Sequence, residues 1–295
     1  MKSKLIPLLY ITLHLCAQGA WAQVPDGSDM HLPRTPFRLQ SRAEVQLPPA
    51  VDNSTRKFFP PILDQMGGSC AQASGIGYMF TYEINRLLDR DAHASADHRF
   101  SYQFSWNLLN DGQDQGDFVD QGLYLSERYG IMTEQDYGIS GTYQFKWATG
   151  YDKYYKALQY RTQEVLTFTD SIPLMKRWLY DAGDGSAVGG VLTFSAMSRG
   201  WEIDDDYQGP SLTGYRSLLK GLATDGAHAL TIAGYDDTVV YTDAQGTPHT
   251  GAFIVVNSWG THSHDRGRFY LPYDFFRDTR VPEQQLGSTV EAIRV

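Results

Sequence analysis

From Ala73 the apolar positions Ala73, Ile76, Gly77, Phe80, Ile84, Leu87 and Leu88 recur at steps of three and four residues, the spacing of a helix with one buried face. A second helical stretch runs from Phe118 to Tyr129 and stops at Gly130, a residue suited to a helix C-terminus, and a third covers Ile172 to Asp181. Beyond these the pattern changes. Gly190-Val191-Leu192-Thr193-Phe194, Ala229 to Tyr235 and Gly251 to Val256 are short apolar runs bounded by turn residues and read as strands. The last two flank Asp236 to Thr250, where Asp243-Ala244-Gln245-Gly246 supplies a turn, so they are expected to pair antiparallel. A helical first half and a stranded second half predict an α+β fold in two lobes, with the cleft between them as the place for a site.

The ends of the chain add boundaries. Lys2 and Lys4 precede an apolar run from Leu5 to Leu15, and Ala20-Trp21-Ala22 is a small-x-small cleavage site, so residues 1–22 read as a signal peptide cleaved after Ala22. Export, to the periplasm or the medium, is the expected location. No later stretch reaches the roughly 20 apolar residues that spanning a bilayer needs, so no integral membrane segment is expected. Residues 23–46 are polar, carry Pro25, Pro33 and Pro36, and have neither helical nor alternating periodicity, which predicts an extended arm. The folded domain is placed at 47–295, its first lobe at about 55–165 and its second at about 166–295.

Charge narrows the partners. Removing Lys2 and Lys4 takes the 25 basic side chains to 23 against 34 acidic ones, and the formal charge from −9 to −11. An acidic surface repels phosphate backbones, which argues against nucleic acid as a partner.

The same cleavage leaves Cys70 as the lone cysteine, because Cys16 lies in the removed segment. An exported protein that keeps one thiol is not using it as a disulfide staple, so its chemistry becomes the candidate reason for it. Cys70 closes Asp64-Gln65-Met66-Gly67-Gly68-Ser69-Cys70 just before the first predicted helix. A helix N-terminus supplies partial positive charge and free amides that favour the thiolate. Gly67-Gly68-Ser69 lets a carbonyl substrate approach, and the amide of Gln65 with the backbone N–H of Cys70 can meet a developing oxyanion. These residues point to a cysteine hydrolase.

Gln65 to Cys70, Ala227-His228-Ala229 with Gly234-Tyr235, and Asn257-Ser258-Trp259-Gly260 occur in the order found in the papain family of cysteine peptidases. The resemblance extends over about residues 47–280, including Leu47 to Asp52 and Tyr129-Gly130-Ile131. It implies a papain-like two-lobe fold with an antiparallel, β-barrel-like second lobe. It also implies Cys70 as nucleophile, His228 as general base and acid, Asn257 as the group orienting the imidazole, and Gln65 as oxyanion donor. Trp259 would shield the His228–Asn257 hydrogen bond, and Gly116, in Gln115-Gly116-Asp117, would bind substrate backbone. Several features depart from the family: the Gln65–Cys70 loop is one residue shorter, its half-cystine is missing, and Ala71 stands where an aromatic is usual. His228 and Asn257 follow Cys70 by 158 and 187 residues, which indicates insertions. The arm at 23–46 is too short to be the family's folded inhibitory prosegment.

The expected function is a secreted cysteine endopeptidase, monomeric, acting on peptides or proteins and open to a proteinaceous inhibitor, without cofactor or metal. His262-x-His264-Asp265 offers too few ligands for a metal, and Asp204-Asp205-Asp206 lacks the spacing of a calcium loop. Two alternatives stand beside it: an amidase or transamidase of cell-wall peptides using the same Cys and His, and an inactive scaffold of the same fold that only binds.

Overall fold

The computed structural model describes residues 30–39, 45–110, 112–139, 148–168, 171–221, 223, 225–242, 246–277 and 290–295. The export segment at 1–22 and residues 243–245 of the expected turn lie outside the described residues. No helix among those described is long and apolar enough to cross a membrane.

One helical rod runs without a break from Cys70. Cys70–Gln72 and Thr81–Leu88 are α-helical and Ala73–Phe80 between them is π-helical, the amide of Thr81 bonding the carbonyl of Ile76 five residues back. Every residue of Ala73–Phe80 is buried, so this stretch of the rod is a core element enclosed on all sides rather than a surface helix with one apolar face. Leu87 and Leu88, expected on the buried face, are 63% and 48% exposed. The π turns explain this: each takes one residue more than an α turn, so a three-and-four spacing does not keep its phase across them.

Ten strands form a single sheet among the described residues. They are β1 (Arg34–Pro36), β2 (Ala50–Asp52), β3 (Glu164–Phe168), β4 (Leu192–Met197), β5 (Glu202–Asp204), β6 (Leu218–Gly221), β7 (Ala227–Thr242), β8 (Pro248–Val256), β9 (Arg268–Pro272) and β10 (Val290–Arg294). The order is β1-β3-β10-β4-β7-β8-β9-β6-β5, an open path, with β2 paired to β7 outside it. β7 and β8 pair antiparallel as the sequence predicts, from Thr231 opposite Val256 to Thr242 opposite Pro248, with irregularities after Ile232 and Asp236. On its other side β7 pairs with β4, which places His228 opposite Ala196.

The helices at Val119–Tyr129 and Ile172–Asp181 fall where periodicity puts them. The first ends at Gly130, whose φ of +69° suits glycine and whose missing Cβ leaves room for the carbonyl of Ala157. Part of the expected arm joins the sheet. β1 pairs parallel to β3, Phe37 stacks on Phe168 with ring centroids 4.6 Å apart, and Arg34 Nε donates to Glu291 at 2.6 Å while its Nη2 reaches Asp120 at 3.1 Å.

Buried apolar residues form a cluster around the central rod, another between the sheet and the Ile172–Asp181 helix, and a smaller third around Tyr207, Tyr215 and Tyr270. The first two are joined by polar contacts. The Ser74 hydroxyl lies 2.6 Å from that of Thr193 on β4 and 2.9 Å from that of Thr231 on β7, which fixes the rod against the strand that carries His228.

Candidate active site

Cys70 is the first residue of the rod, and its sulfur faces the backbone amides of Cys70, Ala71 and Ala229, the last adjoining His228. These amides favour the thiolate, but burial outweighs them and pushes the thiol above its ordinary value, with the nearby Asp117 carboxylate adding to the rise. A thiol this protected needs a partner to take its proton.

The loop before it is held from two sides. Gly68 N–H donates to Asp114 Oδ1 at 2.7 Å, and a Cβ on Gly68 would come within 2.8 Å of the backbone at Gln115 and Gly116. Gly116 therefore lies alongside the nucleophile loop, exposed to solvent. In place of a covalent cross-link, a carboxylate and a close backbone contact hold these segments together. On the other side, Gln65 N–H donates to Ser258 O at 2.7 Å and Gly260 N–H to Leu63 O at 2.8 Å, joining the loop to the Asn-Ser-Trp-Gly segment. Tyr78 on the rod completes the joint, accepting from Leu63 N–H at 2.7 Å and donating to Asn257 O at 3.0 Å.

Hydrogen bonds fix the roles of the polar atoms. The Ser258 backbone N–H donates to Asn257 Oδ1 at 2.8 Å, and only the carboxamide oxygen can accept it. His228 Nε2, 2.9 Å from the same oxygen, must then carry a hydrogen, which leaves Nδ1 with the lone pair. His228 and Asn257 are both buried. Burial brings the His228 imidazole down to about 4, against the raising effect of Asn257, so the resting ring is neutral near pH 7. Trp259 stacks on that ring with centroids 4.6 Å apart and planes 23° from parallel. Trp201 packs on both, at 6.1 Å from His228 and 6.0 Å from Trp259.

Gln65 is oriented in the same way. Its Oε1 accepts the Ser258 hydroxyl at 2.5 Å and one Nε2–H donates to Gly67 O at 2.9 Å, so the second hydrogen of that amide is the one left for a substrate. A separate groove of about 820 Å³ opens by Leu87, Leu88 and Leu158, at the other end of the rod. Neither thiol nor imidazole lines it.

Solved structures share this architecture. Xylellain, a cysteine protease from Xylella fastidiosa, aligns at a TM-score of 0.58 with 20% identity, over 85% of this chain and 87% of that one. The fold is that of papain-like cysteine proteases. The proform of Amb a 11, a cysteine protease and ragweed pollen allergen, aligns at 0.54 with 13% identity over 86% of this chain and 68% of its own. Digestive procathepsin L 3 of the Tenebrio molitor larval midgut aligns at 0.56 with 14% identity, covering 89% and 74%. No protein-family model matches the sequence, and no curated protein matches it.

On this papain-like frame, Asn257 and Trp259 contact His228 directly, Gln65 joins them through Ser258, the Cys70 sulfur meets the backbone amide of Ala229 beside His228, and Gly116 flanks the loop. Four residues with clear contacts here have no periodic or motif signal that singles them out. Asp114 and Trp201 are recognisable only from tertiary contacts. The Ser258 hydroxyl lies within a quoted motif, yet its bond to Gln65 spans 193 positions. His264 contacts Asn257 from a loop seven residues on.

Proposed function

We propose that this chain is an exported cysteine endopeptidase working through Cys70, His228, Asn257 and Gln65 in a cleft between two lobes. The observation that carries the reading is the Ser258 N–H bond to Asn257 Oδ1, because it fixes the tautomer that leaves His228 Nδ1 free to take a proton. Burial opposes a lone thiolate and a lone imidazolium alike, so the two charges form together as Cys70 passes its proton to Nδ1. The sulfur then attacks the peptide carbonyl. The oxyanion accepts from Cys70 N–H and from the remaining Gln65 Nε2–H, the C–N bond breaks, and His228 gives its proton to the leaving amine. Water, giving a proton to His228, attacks the thioester; the acid leaves and the proton returns to the sulfur. Gly116 would hydrogen-bond the substrate backbone, and the acidic surface suits an exported protein.

The test is hydrolysis of a denatured protein substrate by the chain lacking residues 1–22, with Cys70→Ala beside it. Cleavage at internal peptide bonds, lost in the variant while its thermal melt is kept, is the expected result. Full activity in Cys70→Ala would sink the proposal. Release of peptides from purified peptidoglycan without cleavage of protein would replace it by the amidase reading.

A further inference from the structure

His264 is a half-buried imidazole the proposed reaction does not use, and it is aimed at a residue that the reaction does use. Its Nε2 lies 3.2 Å from Asn257 Nδ2. Since Ser258 N–H has assigned Oδ1 to the other side of that carboxamide, the facing atom is an NH₂ group, and His264 Nε2 must accept from it with a bare lone pair. The proton of the neutral ring is then on Nδ1, 3.5 Å from Asp205 Oδ1, which would pair with the ring once it is charged. Phe269 holds the ring edge to face at 5.1 Å and Trp259 packs at 6.2 Å. The backbone accepts φ of +51° at His264 to place it there, an uncommon conformation for a side-chain-bearing residue.

We propose that His264 is a positioning residue which, while neutral, locks the Asn257 carboxamide with Oδ1 toward His228, and which releases that lock when it gains a proton. Protonated Nε2–H would confront the Asn257 NH₂, donor against donor. Turning the carboxamide over would satisfy His264 but would present NH₂ to both Ser258 N–H and His228 Nε2–H, breaking two bonds to make one. Protonation of His264 and the working orientation of His228 therefore exclude each other. The titratable groups facing His264 are Asp205, from the turn after β5, and His228 on β7; its neighbours Asp265 and Arg266 pair with each other at 3.1 Å. Burial lowers the His264 imidazole and Asp205 opposes this, and His264 in turn further lowers His228.

The proposal deepens the peptidase reading and rests on it only for the kinetic readout, so the deciding experiment is chemical. The rate of Cys70 alkylation by iodoacetamide is followed from pH 4 to 8 in the wild type, His264→Gln and His264→Phe, with peptide hydrolysis measured alongside. Gln keeps an acceptor near Nε2 and does not titrate; Phe keeps the ring packing and has no acceptor. The wild-type rate should fall on the acid side with two protons, and that of His264→Gln with one. His264→Phe should be roughly five- to tenfold slower at pH 7, the scale of one lost neutral hydrogen bond. Coincident profiles overturn the proposal, as does a Gln variant that behaves like Phe, which would show packing alone. Where the Phe variant does not fold, the acid limb of His264→Gln decides. Separated profiles without peptide hydrolysis would leave the positioning role standing and remove the peptidase reading.

Discussion

Ser258 governs two side chains at once. Its backbone N–H fixes Asn257, and through it the His228 tautomer, while its hydroxyl fixes Gln65. A motif residue between the asparagine and the tryptophan thus connects Asn257 and His228 to Gln65. Asp117 is the opposite case. Both its carboxylate oxygens are buried, and burial, only partly opposed by the Gln72 side chain, pushes its carboxyl up to about 7. Its folded pKa is above the unfolded value of about 4, so the stability gained from keeping it neutral is full below about pH 4 and is lost as pH rises through 7. Asp117→Asn cannot ionise. Calorimetry between pH 5 and 8 should therefore show a smaller fall in melting temperature for the variant than for the wild type; equal falls would mean that the carboxyl ionises without cost.

At the scale of elements, the site depends on three segments being held in register: the Gln65–Cys70 loop, the strip at Gln115–Gly116 and the Asn257–Gly260 segment. Gly68 is the point of closest approach, 2.8 Å from strip backbone once a Cβ is added. Gly68→Ala must displace the strip or the loop. A shift of about 1 Å at reacting groups is worth up to about 100-fold in rate, so kcat/KM for a peptide should fall on the order of 10- to 100-fold while the melting temperature changes little. Wild-type kinetics in this variant would mean that the strip does not touch the reaction.

The helices at 119–129 and 172–181 and the β7–β8 hairpin were legible in the sequence because each carries its own periodicity and end signal. The last turn of the rod was not, since the π segment shifts its phase and leaves Leu87 and Leu88 exposed. β1 and β2, of three residues each, have no period to detect, and the pairing of β1 with β3 joins positions far apart in the chain. In the site, the motif residues announced themselves by order. Asp114, Trp201 and His264 act through contacts that only folding creates.

For the whole molecule, the central rod is the organising element: it begins at the sulfur, and its Ser74 and Tyr78 side chains reach the strands and loops that carry the other groups. Residues 34–37 of the predicted arm close the sheet's far side, with Arg34 linking Glu291 on β10 to Asp120 at the start of the helix after Gly116. The central claim is that folding makes Cys70 and His228 one chemical unit. It is tested most directly by intact-mass measurement of labelling by a peptide-based, thiol-directed electrophile. The account predicts a single adduct at Cys70 in the wild type, formed at least about 100-fold faster than in His228→Ala, the scale of general-base assistance. Equal rates in the two proteins would contradict it.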